Sequence, residues 1–140
     1  MKENQIKKVW NEGRPAVNVF LCIPSSFAAE VMASLGWDAV TVDMQHGVTD
    51  YSDMVPMLQG ITRYEVAPMV RVPWNDPAII MKSLDAGAYG VICPMITHAK
   101  NAKSLSGRVD TRRKVIGPRD QSAQSSIRVR TITFTRLKQS

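Results

Sequence analysis

A carboxylate, an amide and an imidazole follow a short apolar run near the middle of the chain. Residues 39–43, Ala-Val-Thr-Val-Asp, are typical of a buried parallel strand, and Gln45, His46 and Gly47 come directly after it. In α/β proteins, the loops after the carboxyl ends of parallel strands hold the reacting groups. Imidazole titrates near neutrality and suits proton transfer. Asp43 and His46 are therefore the first candidates for chemistry.

Helices and strands alternate around this cluster. The apolar runs predict strands at residues 16–23, 39–43, 67–72 and 90–95. Helices are predicted at residues 2–12, 27–35, from about 50 to 61 and from 76 to 87. Ser25 or Ser26 would cap the second helix, Asp50 or Ser52 the third, and Asp76 the fourth. Thr97 would open a further helix. Repeated βα units indicate a parallel sheet with right-handed crossovers, which fits either a small open sheet or half of an eightfold barrel.

The charge is divided unevenly along the chain. Residues 1–98 contain 7 Lys or Arg and 10 Asp or Glu, a net charge of −3, whereas residues 99–140 contain 11 and 2, a net charge of +9. This asymmetry predicts a basic tail on a mildly acidic domain. No RNA- or DNA-binding motif accompanies the tail, so nucleic acid is not the partner that we expect.

The remaining composition excludes several classes of protein. No apolar run approaches the roughly 20 residues of a membrane span, and the polar amino terminus lacks the apolar core of a secretory signal. Cys22 and Cys93 lie in apolar runs, which favours reduced core thiols over a disulfide or a metal site. We expect a cytoplasmic protein without membrane contact.

Four motifs, in order and at regular spacing, resemble the HpcH/HpaI aldolase/citrate lyase family of 2-keto-acid aldolases. They are VDMQHG at residues 42–47, VRVPWND at 70–76, LDAGA at 84–88 and CPMI at 93–96. The resemblance covers roughly residues 5–100 and implies the first four βα units of a (β/α)8 TIM barrel. It further implies a homo-oligomer and divalent-metal-dependent cleavage of 4-hydroxy-2-oxo acids to pyruvate and an aldehyde.

The resemblance also implies roles for single residues. His46 matches the catalytic histidine of the family, Asp85 the aspartate that pairs with it, and Arg71 the arginine that binds the keto acid. Asp43 and Gln45 would lie behind these three residues and support them. Gln45 stands where many members of the family have glutamate. Taken singly, His46 also fits a structural loop histidine, Asp85 a surface charge and Arg71 an ion-pair partner.

The family's metal ligands, a glutamate and an aspartate, lie beyond the fourth strand. The Mg, Mn or Co ion of the family is therefore not expected on this chain. Residues 115–120 (Val-Ile-Gly-Pro-Arg-Asp) resemble a metal-binding segment of the family, but they follow Pro94 two βα units too early, and we interpret this as coincidence.

Residues 104–140 have a second interpretation as sequence read in another frame. In this second frame, each codon begins at the last base of a codon of the first frame. Coding DNA for residues 107–118 can then encode Cys-Arg-Tyr-Pro-Pro-Lys-Gly-Asn-Arg-Ser, which resembles the family segment after the fourth strand. Residues 130–139 permit a segment that ends in Ile-Glu-Thr, which carries the family's metal-binding glutamate. We therefore predict two parts: residues 1–103, half of an aldolase barrel, and residues 104–140, a disordered or frame-shifted basic tail.

Half a barrel would leave the first and fourth strands as open edges, which predicts a product that is poorly stable or depends on oligomerisation, with impaired activity. Two alternatives of other classes stay open at this point. One is a non-catalytic α/β module with a basic tail that binds nucleic acid or a protein partner. The other is an intact small doubly wound enzyme.

Overall fold

Parallel strands alternate with helices between residues 18 and 92. The computed structural model describes residues 3–94 and the strand at 114–116. In chain order the elements are α1 (Gln5–Asn11), β1 (Asn18–Leu21), α2 (Ser26–Ala33), β2 (Ala39–Asp43), α3 (Tyr51–Ile61), β3 (Ala67–Arg71), α4 (Pro77–Asp85), β4 (Gly90–Ile92) and β5 (Lys114–Ile116). The strand order is β1-β2-β3-β4-β5 and all four pairings are parallel.

The helices begin where the sequence places their caps. The Ser25 hydroxyl accepts from the backbone N–H of Ala28 at 3.1 Å and caps α2. Asp50 and Asp53 form a reciprocal capping box at the start of α3. Asp76 caps α4, and Pro77 occupies the first turn, where its missing N–H costs no hydrogen bond. These predicted helix starts are confirmed.

Two apolar clusters lie on opposite faces of the sheet. Val40, Val42 and Val70 point toward α2, α3 and α4, and they pack in the larger cluster with the buried helix residues Met57 and Leu58. Alternate strand residues point to the other face, where Ala39, Ala67 and Met69 pack against Ile6 of α1 and its neighbour Trp10. No helix in the described part of the chain is long and apolar enough to cross a membrane.

The structure differs from the sequence-based expectations in three places. β5 lies in the segment for which no strand was predicted, and it pairs with β4. Within the described residues, the unpaired edges are therefore β1 and β5, and not the first and fourth strands. Cys22 is exposed, whereas Cys93 is buried as expected, and both are free thiols. The predicted helix near Thr97 and most of the tail lie outside the described residues.

Met57→Ala tests whether the larger cluster holds the fold together. The Met57 side chain is 1% exposed, so its loss leaves a cavity and we expect the free energy of unfolding to fall by roughly 2–5 kcal/mol. Met81→Ala, the same change at a 54% exposed position on α4, should cost less than about 1 kcal/mol. Urea unfolding measures both, and equal losses would contradict the placement of the cluster.

Candidate active site

Asp43 and Arg71 form an ion pair at the carboxyl ends of β2 and β3. They are register partners on neighbouring strands, so both side chains leave the same face of the sheet. Arg71 Nε donates to Asp43 Oδ1 at 2.8 Å, and Arg71 Nη2 donates to Asp43 Oδ2. Asp43 is 1% exposed and the Arg71 side chain is 24% exposed. The pair joins a buried carboxylate to a cation that still reaches solvent.

The Asp43 carboxylate also organises the loop that follows it. Its Oδ1 accepts from the backbone N–H of Gln45 at 3.0 Å and of His46 at 3.2 Å. Burial raises the pKa of Asp43, but the hydrogen bonds from Arg71, His46 and Gln45 outweigh it and hold the pKa below its usual range. Asp43 therefore stays ionised near neutral pH and fixes both the guanidinium and the start of the loop.

β1 contributes two further residues to this cluster. The Arg71 guanidinium lies over the Phe20 ring, 4.8 Å from the ring centroid. The Cys22 thiol donates to Asp43 Oδ2 at 3.7 Å. Burial and the nearby Asp43 charge raise the pKa of Cys22, which disfavours the thiolate. Phe20 and Cys22 lie near the carboxyl end of β1, but their apolar surroundings in the sequence are typical of packing residues and do not single them out.

Gly47 lets the loop after β2 approach the loop after β1. Its φ is +125°, and a Cβ atom at this position would lie 3.0 Å from the Cys22 Cβ and 3.0 Å from the Cys22 carbonyl oxygen. Only glycine fits this conformation and this spacing without strain. The contact fixes the position of the backbone that carries His46.

The structure does not bring every predicted site residue together. His46 is exposed and its imidazole has no hydrogen-bond partner among the described residues. Asp85 is the last residue of α4 and is exposed. Tyr89, just before β4, donates its backbone N–H to Pro68 near the start of β3, so the end of α4 lies at the amino edge of the sheet. Asp85 and His46 are therefore at opposite edges within one chain.

Parallel strands that follow one another in chain order across the sheet, with polar side chains at the carboxyl edge, are typical of the barrel type of α/β protein. A sequence profile of the HpcH/HpaI aldolase/citrate lyase family matches residues 17–131, more than half of the chain. The chain belongs to this family. The match extends beyond residue 103, and the predicted domain boundary there stays a prediction.

Individual relatives agree with this assignment. The hydroxypyruvate/pyruvate aldolase of Rhizorhabdus wittichii is 46% identical over 103 residues, which are 74% of this chain and 41% of that protein. A 4-hydroxy-2-oxo-heptane-1,7-dioate aldolase of Escherichia coli is 35% identical over 101 residues, 72% of this chain and 38% of that protein. The chain thus spans about two fifths of the length of these relatives.

A solved structure confirms the fold class. The crystal structure of an HpcH/HpaI aldolase/citrate lyase family protein from Burkholderia cenocepacia matches with a TM-score of 0.69 and 29% identity, over 76% of this chain and 42% of that one. The predicted fold, the first part of a (β/α)8 barrel, is therefore confirmed.

Asp43→Asn tests the ion pair through its pH dependence. The folded-state pKa of Asp43 lies below the unfolded value of about 4, so its stabilisation is present at neutral pH and is lost as the pH falls through the folded pKa. At pH 7 we expect the variant to lose roughly 2–3 kcal/mol. Urea unfolding from pH 7 to pH 3 should show this difference shrinking, and a difference that is constant with pH would contradict the assignment.

Proposed function

We propose that residues 1–103 are the amino-terminal half of a divalent-metal-dependent aldolase that cleaves 4-hydroxy-2-oxo acids to pyruvate and an aldehyde. The observation that carries the proposal is the Arg71 guanidinium, which Asp43 and Phe20 hold at the carboxyl edge of the sheet. A fixed cation at this edge suits the carboxylate and enolate oxygens of a keto acid. The names of the relatives, both aldolases, support the same substrate class.

Arg71 has the donors that this role needs. A guanidinium carries five N–H groups, and Arg71 uses Nε and Nη2 for Asp43. The N–H groups of Nη1 are left to bind a substrate oxygen. The hydrogen bonds to Asp43 raise the pKa of Arg71 despite its partial burial, so the charge persists at every working pH.

His46 is the proposed base. Its imidazole takes the proton of the substrate's 4-hydroxyl, and the resulting alkoxide becomes the aldehyde carbonyl as the C3–C4 bond breaks. The electrons of that bond pass into the pyruvate enolate, which Arg71 stabilises until the proton taken up by His46 is returned to C3 and the imidazole is neutral again. The backbone N–H of His46 is held by Asp43, so Asp43 acts as a positioning residue for both groups. Gln45, anchored to the same carboxylate, is proposed to support this arrangement.

A role for Asp85 beside His46 needs more than one chain. Because Asp85 lies at the amino edge of the sheet, its carboxylate reaches a His46 imidazole only from another subunit. The homo-oligomer that the family resemblance implies would supply such a contact. The pairing of the two residues therefore stays a prediction.

The described residues do not fit a metal ion. They contain no group of three His, Cys, Asp or Glu side chains placed to hold one, and the buried carboxylate of Asp43 is already bound to Arg71. The family's Mg, Mn or Co ion, which would act as a Lewis acid on the enolate, is proposed to need ligands beyond residue 94. No step is assigned to it, and we propose impaired activity for this chain. We also propose a cytoplasmic location.

A full-length chimera tests the roles of Arg71 and His46. Residues 1–98 of this chain are joined to the part of the R. wittichii aldolase that follows its matched segment, and pyruvate release is measured with added Mg²⁺. We expect the chimera to be active and the 140-residue chain to release far less pyruvate. His46→Asn should lower kcat about 100-fold or more through loss of the base.

In the same chimera, Arg71→Lys should lower kcat/KM about 100-fold, because lysine cannot satisfy Asp43 and the substrate in the same geometry. Arg14→Lys, the same change at an exposed arginine that pairs with Glu12, is the matched control and should leave the rate unchanged. Full activity of either site variant would refute the role proposed for that residue.

We propose that residues 104–140 come from a change of reading frame between about residues 100 and 107. The alignment with the R. wittichii aldolase covers 103 of the 140 residues, which leaves room for such a segment. The coding DNA should yield Cys-Arg-Tyr-Pro-Pro followed by Ile-Glu-Thr in a single alternative frame. If no one frame restores both segments, the proposal fails.

A further inference from the structure

Each of the first three loops at the carboxyl edge of the sheet exposes a large apolar side chain. Ile23 follows β1, Val48 follows β2 and Trp74 follows β3, and these side chains are 70%, 75% and 60% exposed. Single exposed apolar side chains are ordinary, whereas several at one place mark a binding surface. These three residues form an apolar rim at the edge that also carries Arg71 and His46.

Two residues of the apolar rim are held near each other by a backbone contact. A Cβ atom on Gly47 would lie 3.0 Å from the Cys22 Cβ, so the loops after β1 and β2 touch at these two residues. Ile23 and Val48 each come directly after one of the touching residues. Because the Cys22 thiol also donates to Asp43, this apolar pair lies beside the ion pair of the candidate site.

The proposed chemistry decides which part of a substrate would meet the apolar pair. Arg71 would bind oxygens of the keto-acid end, and His46 would take the proton of the hydroxyl on C4. The substituent on C4, which leaves as the body of the aldehyde, then extends past His46. Val48 follows His46 by two positions, so this substituent would lie next to Ile23 and Val48.

The charges of the same loops disfavour a second carboxylate on the substrate. Residues 22–25, 44–50 and 72–76, which form the loops after β1, β2 and β3, contain no Lys or Arg. Their two acidic residues, Asp50 and Asp76, cap helices and would repel an anion. A carboxylate on the C4 substituent would therefore lose water at the apolar pair without gaining a cationic partner from these loops.

We propose that Ile23 and Val48 select 4-hydroxy-2-oxo acids whose C4 substituent is apolar and uncharged. The inference rests on the proposed function and adds to it the class of aldehyde that is released. Contact with the two side chains removes apolar surface of the substituent from water, which favours binding in proportion to the area buried. Since β2 lies between β1 and β3, Trp74 would border the same substituent on the side opposite Ile23.

Binding of two keto acids that cannot be cleaved tests the proposal on the full chain of 140 residues. 2-Oxohexanoate and 2-oxohexanedioate share a six-carbon chain without a C4 hydroxyl, and only the second ends in another carboxylate. NMR titration should show about tenfold tighter binding of 2-oxohexanoate. Val48→Lys should reverse this order, because the introduced ammonium pairs with the second carboxylate, and it should leave the affinity for pyruvate unchanged.

Val17→Lys is the matched control for the introduced charge. Val17 is 45% exposed and precedes β1, at the opposite edge of the sheet, so this variant should keep the order of the unchanged chain. Circular dichroism checks that each variant is folded. The comparison of the two acids on the unchanged chain stands even if Val48→Lys does not fold.

Arg71→Lys separates this inference from the proposed function, since it should weaken the binding of pyruvate and of both longer acids alike. If no keto acid binds, or if Arg71→Lys changes no affinity, the role of Arg71 fails and this inference fails with it. If Arg71→Lys weakens binding as expected but the unchanged chain binds the two longer acids equally, only this inference is overturned. The same holds if folded Val48→Lys keeps their order.

Discussion

The ionised carboxylate of Asp43 is the constraint on which the rest of the site depends. A buried charge is unfavourable unless it is paired and hydrogen-bonded, and Asp43 is 1% exposed. The fold meets this requirement with one side chain from the next strand and two backbone N–H groups from the following loop. The groups that pair with this one carboxylate thus join the end of β2 to the end of β3. They also fix the conformation of the first residues of the loop after β2.

The same requirement also fixes the position of Arg71. An arginine held by two hydrogen bonds and an aromatic ring has lost most of its rotamer freedom before a ligand arrives, which is the arrangement that stabilises developing negative charge most strongly. His46 differs, because only its backbone is fixed, by Asp43 and by the close approach of Gly47 to Cys22. The guanidinium is preorganised for the substrate oxygen that we propose for it, and the imidazole is free to adjust to the proposed substrate hydroxyl.

The sequence predicts the local parts of this structure better than the long-range parts. The bounds of β2 match because a β-branched run ends there in polar residues, and the helix starts match because caps are short-range signals. β1 is shorter than predicted, since only residues 18–21 pair with β2. β5 was missed because Val115 and Ile116 stand among basic residues with no adjoining helical pattern. The Asp43–Arg71 contact spans 28 positions and depends on strand register, which no local pattern contains.

The position of Asp85 shows what topology adds to a motif. As sequence, it belongs with His46, because both stand in family motifs at regular spacing. As structure, each helix of a βα unit runs back to the amino edge of the sheet, so a residue at the end of α4 is carried away from the edge where β2 and β3 end. In a barrel, the residues of the site come from the loops after several different strands. A partial barrel can therefore keep Arg71 and the proposed base His46 at one edge of the sheet, while the other groups that the proposed reaction needs would lie on other strands or other subunits.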